Sequence, residues 1–255
     1  MQQMTPLSHD LAKTKQAASR IAALDLARAG ALVAMAVFHF VFDLALFGFI
    51  PADTPAQMGW RWLAYLTAGS FLFLAGVSLW LAHGAVIGWR AFWRRWVMLI
   101  AAACAITIVT VIAMPDAFIF FGILHAIAAA SLLGLAARRL SPLALIALAV
   151  AVIWLPQAMR FALFDPAWLW WTGLQATGIR SVDYVPLFPW FGPFLLGLAC
   201  AKLMTGAGLW DRLARWPAPK AARPLLWAGR NSLFVYLIHQ PILVALVWGA
   251  AQLRP

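Results

Sequence analysis

The chain has 255 residues, 65% of them hydrophobic and only 11% charged, with a mean hydropathy of +0.87. That balance excludes a soluble domain with a large core and points to a polytopic membrane protein. The net charge of +11 does not point to nucleic acid, because the basic residues fall in short loops between apolar stretches.

Residues 1–19 are polar and read as a mobile cytoplasmic tail, in which His9 carries no signal. Residues 20–255 read as one all-α transmembrane bundle. Seven spans are predicted, at about 26–49, 61–82, 95–114, 117–137, 142–156, 188–205 and 231–250, to cross a hydrocarbon core of ~30 Å. The first is too long for the apolar stretch of a signal peptide and is expected to be retained.

The first span carries Asp25, Arg28, His39 and Asp43. At ~100° per residue, with Arg28 at zero, His39 falls at roughly +20° and both carboxylates at roughly +60°. All four share one stripe with Leu32 and Met35, which should face an interior groove, because ionisable groups in a span avoid lipid. Arg28, with Asp25 three residues before it, reads as a cationic doorway at the inner end for a phosphate-bearing substrate. His39 lies roughly 16 Å further out, and Asp43 one turn beyond it is spaced to orient the imidazole.

The second span holds Ala68-Gly69-Ser70 and Ala75-Gly76-Val77-Ser78, small residues that permit close helix packing. The stretch from Gly88 to Trp96 is expected along the inner surface, and Trp168-Leu169-Trp170-Trp171 along the outer one. The fourth span contains Phe121-Gly122-Ile123-Leu124-His125. A long outer segment then ends in Asp183-Tyr184-Val185-Pro186-Leu187-Phe188-Pro189-Trp190. Span seven opens with Gly229-Arg230-Asn231-Ser232 and continues to His239-Gln240-Pro241, where Pro241 should kink the helix. His39, His125 and His239 come to similar depth, so one shared polar cavity is expected. His125, Asp183, Tyr184, Asn231, Ser232 and His239 are its candidate lining or acceptor-binding groups. Asn231 and Ser232 also read as helix caps, and the histidines as hydrogen-bonded packing residues. Cys104 and Cys200 read as packing residues, and no metal site is expected.

Charge sets the orientation. Only Arg61, Arg160, Arg180 and Arg254 fall on one side of this arrangement, and the other 15 of the 19 basic residues on the side of the N-terminus. The positive-inside rule therefore predicts N-terminus cytoplasmic and C-terminus outside, and the bacterial cytoplasmic (inner) membrane is the expected location.

The segment from Arg20 to Arg28 followed by His39 resembles the first span of transmembrane acyltransferases, where an Arg, ten intervening residues and a His recur. The segments around His125, Asp183 to Trp190 and Gly229 to Pro241 are similar to the heparan-alpha-glucosaminide N-acetyltransferase catalytic-domain family and its small bacterial relatives. The resemblance covers about residues 20–250. It implies transfer of an acetyl or other short acyl group from cytoplasmic acyl-CoA to a hydroxyl or amine of an extracytoplasmic glycan or similar small acceptor. By motif match His39 is the catalytic residue and Arg28 its paired Arg. Acyl-CoA, with acetyl-CoA the leading candidate, is then a cosubstrate, and no cofactor is tightly bound. The expected partners are lipid, acyl-CoA and the acceptor, and a homo-oligomer stays open. His39 would act as general base or be transiently acylated itself, and His125, Ser232 or Tyr184 could donate to the oxyanion. Two other readings fit the residues: a transporter or channel with an intramembrane His/Asp proton relay, and a haem protein with paired His ligands.

Overall fold

The computed structural model describes residues 21–254, and they are all-helical, with no strands. The helices are α1 Ala22–Leu46, α2 Met58–His83, α3 Trp89–Ala113, α4 Ile123–Ala137, α5 Pro142–Ala158, α6 Leu187–Gly206, α7 Leu209–Ala214, α8 Arg223–Arg230 and α9 Ser232–Gln252. Five of them, α1, α2, α3, α6 and α9, are long and apolar enough to cross a membrane; α4 and α5 are shorter apolar helices. At ~1.5 Å per residue the 15 residues of α4 reach about 22 Å, short of a full hydrocarbon core. The expected polar tail, His9 and Arg20 lie outside the described residues.

The apolar core sits among α2 to α6. Phe194, Leu195 and Leu198 of α6, Leu72 of α2 and Leu145 of α5 are all sealed from solvent. The close α2–α6 contact rests on two glycines. A Cβ on Gly76 would strike the Phe194 carbonyl oxygen, and one on Gly197 would strike that of Phe73. The small residues of α2 thus bring backbones together, as their spacing predicts. Helices α1, α8 and α9 form a separate layer beside α2, with α1 packed on all three.

Two sequence expectations need correction here. The Trp- and Arg-rich stretch ahead of the third span is the opening of α3 itself, because nothing between Trp89 and Ala113 breaks a helix and Gly88 is its N-cap. The fourth helix starts at Ile123, not near 117. Pro115 begins a 3-10 turn, and residues 118–122 are non-helical and lie beside residues 181–185. The Val182 amide donates to the Ala117 carbonyl and the Val185 amide to that of Phe121. His125 therefore stands in the first turn of α4 and not eight residues into a span. Helix α9 continues through Pro241.

Candidate active site

The first-span stripe is an interior stripe. Asp25, Leu32, Met35 and Asp43 are buried, whereas Val33, Val37 and Phe40 on the opposite side are exposed. The period of α1 alone accounts for this, since every stripe residue falls within about 60° of Arg28.

At the N-terminal end of the stripe Asp25 gathers two guanidiniums. Its Oδ1 accepts from Arg28 Nη1 at 3.0 Å and its Oδ2 from Arg230 Nε at 3.2 Å. Arg28 also donates from Nη2 to Ser78 Oγ at 2.7 Å. Arg230 reaches Asp25 because α8 lies directly on α1. A Cβ on Gly229 would collide with the Asp25 carbonyl oxygen. Only glycine permits that approach, and the guanidinium of the next residue is delivered by it.

These groups flank a cavity of about 730 Å³, within the size range of small-molecule sites. Arg28, Arg95 and Arg230 bring three cations to its wall, with Ser78, Asn231 and Ser232 beside them. Phe71, Leu74, Leu99, Ile123, Leu124 and Ile127 make the rest largely apolar. A chamber that is cationic in one part and apolar elsewhere suits a ligand with a phosphate-bearing part and a less polar arm. Asn231 sits at the break between α8 and α9. Its Nδ2 donates to the Trp227 carbonyl at 2.9 Å, so it closes α8 and makes no cap bond to α9.

Farther along α1, the His39 and His239 rings lie against each other, with centroids 4.9 Å apart and Nδ1 of His39 2.6 Å from Nε2 of His239. Both side chains are partly exposed. His239 Nδ1 is 2.5 Å from the Tyr236 carbonyl oxygen. The cavity lining includes Tyr236 and Leu237, so the histidine pair begins less than one turn past its lining on α9. A spacing of 2.6 Å between ring nitrogens leaves no room for an iron between them. The two therefore do not form an axial haem pair in this arrangement.

The expected His39–Asp43 hydrogen bond is not the one formed. Asp43, fully buried, accepts from Gln240 Nε2 at 2.8 Å, while His39 takes His239. The i,i+4 spacing placed both on one face, but α9 supplies a nearer partner for each. His125 pairs elsewhere than with the other two histidines. His125 stacks on Phe121, and its Nδ1 accepts from the Gly122 amide at 3.3 Å. Asp183 crosses from the outer segment to accept the Ile123 amide at 3.0 Å, capping α4. Burial raises its pKa from 3.8 to about 6, against the opposing Ile123 bond. Tyr184 clasps the outer segment. Its hydroxyl donates to the Trp170 carbonyl at 2.6 Å and accepts from Gln175 Nε2 at 2.9 Å. Burial pushes it up to about 12, despite Gln175 and nearby Arg160. Neither Asp183, Tyr184 nor His125 lines the cavity.

Sequence reasoning missed Ser78, Arg95, Arg230, Tyr236 and Gln240 as members of these clusters. Arg95 and Arg230 each satisfy the topology rule as basic residues near a span end, which conceals their place on the cavity wall. The signal for Arg230 was present in Gly229, and that for Gln240 in its place beside His239.

The sequence matches the family described as heparan-alpha-glucosaminide N-acetyltransferase, catalytic, over residues 20–241. No curated protein and no solved structure matches the chain.

Proposed function

The chain belongs to the heparan-alpha-glucosaminide N-acetyltransferase catalytic family, and from that premise we propose that it transfers an acetyl or other short acyl group from acyl-CoA to a hydroxyl or amine. Five apolar helices long enough to span a bilayer, together with this family, point to an integral membrane protein. The observation that carries the reading is the pairing of two features: a chamber whose wall takes arginines from α1, α3 and α8, and a histidine pair between α1 and α9 just beyond it.

In this reading the chain crosses the bacterial inner membrane seven times, with the N-terminus cytoplasmic, so that Arg28, Arg95 and Arg230 face the side where CoA is made. Their guanidiniums hold the CoA phosphates, with Arg28 pre-aimed by Asp25 and Ser78. Ser232 and Asn231 are placed to hydrogen-bond along the same ligand. The acyl arm runs toward Tyr236 and the histidine pair. His39 removes the proton from the acceptor O–H or N–H as the acceptor attacks the thioester carbonyl. The tetrahedral intermediate collapses, the C–S bond breaks, and the thiolate takes the proton back from His39 as CoA leaves, which returns the base to its neutral form. Asp43, through Gln240, holds the adjoining turn of α9 and thereby the pair. Asp183 keeps the outer segment on the start of α4, Tyr184 ties that segment to itself and His125 braces the first turn of α4, where an extracytoplasmic glycan or small acceptor would approach.

Sidedness tests this. Inverted membrane vesicles, with the cytoplasmic face outward and glucosamine on both sides of the membrane, should consume radiolabelled acetyl-CoA added outside, and right-side-out vesicles supplied in the same way should not. Consumption only by right-side-out vesicles would overturn the orientation, and consumption by neither would remove the donor assignment.

A further inference from the structure

Resting on the reading of His39 as the base, we infer that His239 is a positioning residue that fixes the His39 tautomer. The argument is a chain of donors and acceptors. The Tyr236 carbonyl can only accept, so His239 Nδ1, 2.5 Å away, carries a hydrogen and donates to it. A neutral imidazole has one N–H, which leaves His239 Nε2 with a lone pair. That lone pair, 2.6 Å from His39 Nδ1, accepts the His39 Nδ1 hydrogen. His39 Nε2 is therefore unprotonated and is the nitrogen available as a base. The carbonyl of a helix backbone thus sets a proton position two rings away.

The same chain handles the charge formed in the reaction. When His39 Nε2 gains the acceptor's proton, the ring becomes an imidazolium with hydrogens on both nitrogens. Its Nδ1 hydrogen can pass to His239 Nε2, and the His239 Nδ1 hydrogen stays on the Tyr236 carbonyl. One proton is gained and one charge is shared between two rings, with no carboxylate hydrogen-bonded to either among the described residues. Asp43, the carboxylate one turn from His39, is engaged by Gln240 and is fully buried. A neutral imidazole thus takes the place that a carboxylate holds in many His-based catalytic groups.

The test reads the tautomer and the rate separately. In the full chain reconstituted in lipid nanodiscs with ¹⁵N-labelled histidine, His39, assigned by its loss in His39→Gln, should show a protonated Nδ1 and a bare Nε2 near pH 8. In His239→Leu the acceptor is gone, and His39 should shift toward the Nε2-protonated form. Acetyl transfer to glucosamine should fall in kcat by about 10- to 100-fold, the scale of losing an orienting partner of a histidine, while KM for acetyl-CoA holds. His239→Gln offers an amide oxygen to the same hydrogen and should recover part of both the tautomer and the rate. A His39 already protonated on Nε2 in the unaltered chain, or one unmoved in His239→Leu, overturns the inference. If the tautomer shifts as described but no form of the protein transfers acetyl groups, the positioning role stands and the acyltransferase reading falls.

Discussion

The α2–α6 core and the α1–α8–α9 layer are built by opposite means. In the core, Phe194, Leu72, Leu145 and Leu198 are sealed, and glycines let α2 and α6 meet backbone to backbone. In the layer, three polar links run up α1: Asp25 to Arg230, His39 to His239, and Asp43 to Gln240. The core is stable because of what it excludes. The layer holds costly groups together where a ligand can reach them, and α9 contributes only Val247 as a buried residue. Sealed apolar packing dominates one region and polar links the other, and the chamber lies between them, with Arg28 and Arg230 from the layer and Arg95, Leu99 and Ile127 from the core helices on its wall.

That division can be broken most strongly from the core side. Phe194→Ala should cost about 3–5 kcal/mol, read as a large drop in detergent-unfolding midpoint. Any protein that remains folded should keep its acetyl-CoA KM, because Phe194 does not line the chamber. A selective loss of acetyl-CoA affinity at unchanged stability would erase the distinction. Next in size, Asp25→Asn leaves Arg28 and Arg230 without their shared carboxylate. It should cost about 1.5–3 kcal/mol, the worth of hydrogen bonds to a charged group, and also raise the acetyl-CoA KM. Arg28→Ala should raise that KM about tenfold and cost less stability than Asp25→Asn, because Arg230 still pairs with Asp25, and Arg28→Lys should not restore the KM, because an ammonium cannot donate as a planar fork to Asp25 and Ser78 together. Full restoration by Lys would show that only charge matters there.

The smallest effect concerns pH and the outer segment. Asp183 ionises at about 6 against an ordinary 3.8, because burial penalises its charge. Between those values the folded chain binds more protons than the unfolded chain. Stability therefore falls as pH rises through that window and levels off above it. Asp183→Asn keeps an acceptor for the Ile123 amide and should flatten this dependence in thermal melts across the same range. A variant with the slope unchanged would place its origin elsewhere.

The interior stripe of α1 was legible because helical period alone puts Asp25, Arg28, His39 and Asp43 on one face. The Asp25–Arg28 pair was legible for the same local reason. The partners across helices were not. His39 and His239 stand 200 positions apart, and nothing in the period of α1 says that α9 rather than Asp43 will meet the imidazole. The span elements were found by hydropathy, but the start of α4 was misplaced. Hydropathy runs unbroken through residues 117–122, while Pro115, Gly122 and the distant Asp183 decide where the helix begins. Arg95 and Arg230 were hidden because a basic residue near a span end satisfies the topology rule whether or not it also faces a cavity.

The central claim is that His39 is the base for acetyl transfer from acetyl-CoA. The direct measurement is single-turnover transfer from radiolabelled acetyl-CoA to glucosamine in proteoliposomes, comparing the unaltered chain with His39→Gln. Glutamine keeps a polar side chain of similar size and removes the base. The rate should fall by ~10²–10⁴-fold while acetyl-CoA binding and the unfolding midpoint stay put. A His39→Gln protein that binds acetyl-CoA and transfers at the unaltered rate would contradict the account.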